Sequence, residues 1–259
     1  MSTEFEKLVD VVAKLRSPEG CPWDREQTHR SILPCLLDEA YEFFEAVDAN
    51  STSMMQEELG DLLLQVVLHA QMASERSEFT VEEVAATISE KLVRRHPHVF
   101  GDVKVADSRE VIKNWEAIKS REKGKESRKS SLDGVPAALP ALFRAEKIQN
   151  RAARVGFDWP DVSPVLEKVE EEFLEFKEAI QSGDLENAVL ELGDILFALA
   201  NVARHKNISA EDALRRATAK FERRFRYVED TITSQGKQMR STSLEEMDRI
   251  WEESKKKVG

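Results

Sequence analysis

This chain of 259 residues reads as an all-α protein built from two tandem copies of one helical module, and three features carry that expectation. Glycine and proline number only 10 and 8, while Glu, Lys, Arg, Leu and Ala abound; the first two interrupt helices and the others form them. Apolar residues recur at helical spacing, as in Leu36, Tyr41, Phe44 and Val47. The phrase Glu58-Leu-Gly-Asp-Leu-Leu63 returns as Glu191-Leu-Gly-Asp-Ile-Leu196, an offset of 133 between Glu58 and Glu191.

The repeat extends well beyond one phrase, which sets it apart from shared helical composition. Upstream, Glu39-x-x-Glu42 recurs as Glu172-x-x-Glu175 at the same offset, and Trp23-Asp24 faces Phe157-Asp158. Downstream, Thr80-x-x-Glu83 and Ser209-x-x-Asp212 are both capping-box-like helix starts. Then come Lys91-x-x-Arg94-Arg95 against Lys220-x-x-Arg223-Arg224, and Trp115-Glu116 against Trp251-Glu252. The modules are therefore placed at 1–120 and 139–259. The stretch between them, 121–138, reads as a charged linker that ends in Gly134 and Pro136.

In order along the first module, the segment from Leu36 to Val47 predicts a helix carrying Glu39 and Glu42 one turn apart on one face. Asp48-Ala-Asn-Ser-Thr-Ser53 predicts a turn and the N-cap of the next helix. Asn50 lies midway between Glu42 and Glu58 and also between Glu39 and Asp61, so an antiparallel hairpin turning there sets acid against acid. In the second module the midpoint is Gly183; Asn and Gly both tolerate the left-handed backbone that such turns use. The second helix of each hairpin is apolar nearly all round (Leu62 to Leu68; Ile195 to Val202), which predicts burial. Pro97 is expected to end the helix begun at Thr80.

Four facing carboxylates on buried helices need cations or protons to coexist. A set of oxygen donors suits hard divalent ions, Mg²⁺ first and Mn²⁺ second, and leaves coordination positions open to phosphate oxygens and water. No His or Cys stands at zinc-ligand spacing, and ferritin-like iron sites use Glu-x-x-His where this chain has Glu or Asp. A single Glu-x-x-Glu would be read as a solvated acidic face; the repeated quartet points to metal. His96-Pro97-His98 is read as surface or packing, and Cys21-Pro22-Trp23 as a packed turn.

The formal charge of −11 argues against a nucleic-acid partner, because phosphate backbones are gripped by clustered Lys and Arg. A small polyphosphate bridged by cations fits that charge. Two cysteines, Cys21 and Cys35, read as reduced thiols and suggest a cytoplasmic location. Acidic residues stand where a signal peptide would be basic and then apolar. The apolar stretches fall far short of the roughly 20 residues a membrane span needs, so no membrane partner is expected.

At these residues the chain resembles the MazG family, whose signature is Glu-x-x-Glu, a helix-turn-helix interval, and Glu-x-x-Asp within Glu-Leu-Gly-Asp-Leu-Leu. Gly20-Cys-Pro-Trp-Asp24, Arg94-Arg-His-Pro-His-Val-Phe100, Val155-Gly-Phe-Asp-Trp159 and Lys220-Phe-Glu-Arg-Arg-Phe225 add to the likeness, which spans almost the whole chain and points to its tandem-domain branch. The resemblance implies two helical-bundle modules, with the bundle completed by dimerisation of identical chains. It also implies hydrolysis of nucleoside triphosphates to the monophosphate and pyrophosphate, with house-cleaning of the nucleotide pool as the role.

Carried over, the catalytic and Mg²⁺-holding acids are Glu172, Glu175, Glu191 and Asp194, with Glu39, Glu42, Glu58 and Asp61 as the metal-binding counterparts in the first copy. The nucleotide contacts map to Lys168, Glu171, Lys220, Arg224 and Trp251; the last could stack on a base. Asn187 departs from the family pattern, which can place a lysine there. The resemblance also implies that the second copy carries most of the catalysis. Two other readings stay open on the sequence: a related dUTPase or phosphoribosyl-ATP pyrophosphohydrolase, and a helical regulatory protein that senses nucleotide without turnover.

Overall fold

A computed structural model of the chain describes residues 3–120 and 130–258, and among these every regular element is helical. Two compact units, Met1–Lys125 and Glu126–Gly259, divide the chain. Of the segment read as a linker, 121–129 lies outside the described residues, and the part that follows forms turns before the next helix.

The first unit contains α1 (Glu4–Arg16), α2 (Pro22–Glu26), α3 (Leu33–Asp48), α4 (Thr52–Ser74), α5 (Val81–Arg95), α6 (Pro97–Phe100) and α7 (Ser108–Ser120). In the second are α8 (Ala141–Arg154), α9 (Ser163–Ser182), α10 (Leu185–His205), α11 (Ala210–Ser234), a 3₁₀ turn at Met239–Ser241, and α12 (Leu244–Lys257). The repeat thus pairs α1 with α8, α3 with α9, α4 with α10, α5 with α11 and α7 with α12. Pro97 accounts for one difference. It cannot continue a helix, so α5 stops at Arg95 and the short α6 begins, whereas Arg226 occupies the matching place in α11 and that helix runs on to Ser234.

Local chemistry sets the boundaries. Thr80 forms a full capping box with Glu83, while Ser209 accepts from the Asp212 backbone N–H. Between α3 and α4 the chain turns at Asn50 with φ 50°, and between α9 and α10 at Gly183 with φ 75°. Both adopt the left-handed backbone, and the Asp184 N–H reaches back 3.0 Å to the Ala179 carbonyl to close α9. Ser51 and Asp184 then cap α4 and α10.

The first core gathers Val12, Ile32, Val67, Leu68, Ala70, Met72 and Val81 from α1, α4 and the ends of α3 and α5. A smaller cluster in the second unit joins Val228 and Ile232 of α11 to Ile250 of α12. The loop before each hairpin is tied to its far end by an arginine. Arg16 bonds Glu75 at 2.8 Å and the carbonyls of Asp24 and Gln27; Arg204 holds Asp158 in the second unit. The polarity of the pair is reversed between copies, so the device is shared and its residues are not.

One expectation is corrected. The all-apolar helices α4 and α10 are not buried all round: Leu63 and Val66 are exposed, as are Val189, Leu192, Leu196, Phe197 and Leu199. Each helix packs mainly against its hairpin partner and α1 or α8, with a smaller contact to α5 or α11, which leaves part of its circumference uncovered. All-round hydrophobicity signals burial only when enough neighbours exist within the module.

Candidate metal centre

The hairpin register brings the acids together, in threes. In the first unit Glu39 of α3 meets Glu58 and Asp61 of α4, with one ligand oxygen from each all within 4.8 Å of one another. The second unit joins Glu172 and Glu175 of α9 to Glu191 of α10 within the same limit. The expected quartets are therefore incomplete: Glu42 and Asp194 stand outside their trios and are exposed. Repulsion among like charges disfavours four ionised acids in one cluster, and the acid left out differs in register between the copies: the second motif acid of α3 in the first unit and the second motif acid of α10 in the other.

The two omitted acids still act on the trios through charge. Loss of solvation pushes Glu58 above its ordinary range, with Glu42 the largest charge contribution, followed by Glu57, Asp61 and Glu39. Glu191 is raised likewise, by desolvation and then by Glu175, Glu172 and Asp194. Desolvation also raises Glu39, joined by Asp61, Glu42 and Asp38. Groups that hold protons this readily are poised to accept another cation.

Glu172 is the most enclosed acid of either trio, at 7% exposure. It is also paired: the Lys168 ammonium lies 2.7 Å from Glu172 Oε1 and 3.0 Å from Glu171 Oε1, one turn away along α9. These hydrogen bonds hold the Lys168 ammonium protonated to well above its usual range. The matching first-copy positions are Cys35 and Asp38, a difference legible in the repeat register that the motif comparison passed over. Among the described residues no Lys or Arg pairs with Glu39, Glu58 or Asp61.

The remaining predicted contacts fall on α11 and α12. Lys220 is exposed and Arg224 half-buried, one turn apart on α11. Trp251 is half-buried against the Val228–Ile232–Ile250 cluster, its ring 5.1 Å from that of Phe221, so it packs as well as presenting an edge. Its first-copy counterpart, Trp115, is flanked differently: the Arg95 guanidinium sits 5.1 Å over the ring, and His96 lies 4.8 Å away. His96 therefore packs on an aromatic, and among the described residues neither it nor His98 joins an acidic cluster. Asn187 has its backbone N–H capped by Asp184 at the start of α10. A contact that sequence reasoning missed is His29 against His69, Nδ1 to Nδ1 at 2.7 Å with rings stacked; the two are distant in sequence and share no motif.

A donor set made only of carboxylate oxygens, drawn from two helices and short of positive charge, fits a hard divalent ion such as Mg²⁺ or Mn²⁺.

Comparison with known proteins agrees with this architecture. The model of the MazG nucleotide pyrophosphohydrolase domain matches residues 27–100 and again 162–228. A nucleoside triphosphate pyrophosphohydrolase/pyrophosphatase MazG of Thermotoga maritima is 49% identical over 97% of this chain and 95% of its own length. The nucleoside triphosphate pyrophosphohydrolase of Escherichia coli K12 is 45% identical over 98% of this chain and 97% of its own. YabN of Bacillus subtilis, an uncharacterized protein, is 50% identical over 97% of this chain, which spans 52% of that longer protein. With two matched domains and relatives aligned end to end, this chain belongs to the MazG nucleotide pyrophosphohydrolase family.

Proposed function

We propose that this protein hydrolyses nucleoside and deoxynucleoside triphosphates, ATP among them, between the α- and β-phosphates, releasing the monophosphate and pyrophosphate, with Mg²⁺ or Mn²⁺ held by the acidic trios. The observation that carries the reading is the convergence of Glu172, Glu175 and Glu191 from two helices within 4.8 Å. The names of the Thermotoga and Escherichia relatives support the substrate class. A role in clearing unwanted nucleotides in the reducing cytosol suits two free thiols, Cys21 and Cys35.

Each residue has a part in that chemistry. Glu172, Glu175 and Glu191 would hold the divalent ion, which when bound neutralises phosphate charge and acidifies a water. Asp194, beside the trio but outside it, is the carboxylate free to accept the proton of the attacking water. Lys220 and Arg224 are spaced to grip phosphate oxygens, and Trp251 offers an aromatic edge to the base. The second copy is proposed as the principal catalytic site, because Lys168 supplies a positive charge there that Cys35 does not supply in the first.

The exposed apolar faces of α4 and α10 support a homodimer in which a second copy covers them, since soluble proteins rarely leave large apolar patches open. Light scattering should give the mass of two chains.

The test is ³¹P NMR of ATP incubated with the protein. Pyrophosphate and AMP should appear together and only with Mg²⁺ or Mn²⁺; ADP with orthophosphate as first products would overturn the reading.

A further inference from the structure

We infer that Lys168 is the resident counter-ion of the second trio, one that must leave Glu172 before a divalent ion can enter, whereas the first trio has no such ion and accepts free metal directly. The inference rests on the metal-holding role proposed above and goes beyond it, because it assigns different loading behaviour to two sites drawn from the same repeated acid motifs.

Three observations support it. Glu172 is buried at 7% exposure and its Oε1 takes the Lys168 ammonium at 2.7 Å, so one oxygen of a trio carboxylate is already engaged by a cation. A buried carboxylate among two others demands compensation, and the ammonium provides it. The Lys168 side chain is itself 38% exposed, so the ammonium can swing outward into water without crossing packed core. The first copy holds Cys35 at that position beside Asp38, and among the described residues Glu39, Glu58 and Asp61 face one another with no basic partner.

Displacing Lys168 costs the second site part of the attraction it offers to a free ion. A ligand that brings its own negative charge offsets that cost, because the displaced ammonium can turn to it. The second site should therefore load metal together with a polyphosphate, while the first binds the ion alone.

Mn²⁺ binding to the full chain, followed by electron paramagnetic resonance without nucleotide, tests this. Glu58→Gln silences the first trio and Glu191→Gln the second, so each can be titrated alone. In the Glu58→Gln background, adding Lys168→Met should tighten Mn²⁺ binding about tenfold, as removal of one nearby positive charge requires, whereas Lys168→Arg should leave it weak. In the Glu191→Gln background, adding Cys35→Lys should weaken binding by about the same factor. Lys168→Met alone should also lower the melting temperature in EDTA but not in saturating Mn²⁺, a difference that a merely structural lysine would not produce. Unchanged or weaker Mn²⁺ binding on Lys168→Met, with binding to the trios intact, overturns the counter-ion role alone. Absence of Mn²⁺ binding to every protein overturns the metal reading and this inference with it.

Discussion

Arg204 holds Asp158 with both terminal nitrogens, Nη1 standing 3.0 Å from Oδ2 and Nη2 bonding Oδ1, and the arginine side chain is only 11% exposed. The pair, with His205 3.2 Å from the same carboxylate, pins the loop that precedes α9 to the end of α10. Asp158→Asn leaves a largely buried guanidinium without its charge partner. The expected loss is about 2 kcal/mol, between the values typical of exposed and fully buried pairs. Urea unfolding of the two proteins measures it.

The same pair predicts an acid limb. Hydrogen bonding from Arg204, then the charges of Arg204 and His205, hold the Asp158 carboxyl below its ordinary range. A depressed folded-state value means that the stabilisation is in place above the unfolded carboxyl's pKa of about 3.9 and is lost as pH falls through the lower folded value. The stability gap between wild type and Asp158→Asn should therefore hold from neutrality to about pH 4 and narrow below it.

The trios predict the opposite sign. Glu39, Glu58 and Glu191 are all raised, by desolvation first and neighbouring acids next, so the metal-free folded chain binds protons more tightly than the unfolded one. Their contribution is favourable at low pH and lost as pH rises through the raised folded values. In EDTA, the double variant Glu58→Gln, Glu191→Gln should melt higher than wild type at pH 8, with the difference shrinking toward pH 4. Mg²⁺ should raise the melting temperature of wild type and leave that of the variant nearly unchanged.

Gly183 carries φ 75° at the hairpin turn, a conformation that costs an L side chain roughly 1–2 kcal/mol. Nothing stands within 4 Å of a Cβ built there, so strain alone decides the outcome. Gly183→Ala should lower the urea midpoint by an equivalent amount at unchanged slope, and Asn50→Gly should be tolerated because the first copy turns through the same region.

Much of this was legible in the sequence because it is local or periodic. The turn at Asn50 and Gly183, the cap at Thr80, the stop at Pro97 and the pairing of Glu39 with Asp61 all follow from spacing and backbone preference. Exposure of Leu196 and Phe197 was not legible, since it depends on how many neighbours a helix finds, which no periodicity encodes. Nor could spacing show that Glu42 and Asp194 stand outside their trios, because spacing treats the four acids of each hairpin alike. The Lys168–Glu172 pair lay open to an i, i+4 reading, and its weight became visible only once Glu172 proved buried.

The most direct test of the central claim is Glu175→Gln. Glu175 is exposed, so the change should leave folding intact, yet it contributes one of the three oxygens gathered at the second trio. Pyrophosphate release from ATP in Mg²⁺ should fall about a hundredfold or more, since losing even a residue that only orients a metal ligand costs about 10- to 100-fold, with an unchanged circular dichroism spectrum. Full activity in Glu175→Gln would contradict the assignment of this acidic trio as the metal centre of the enzyme.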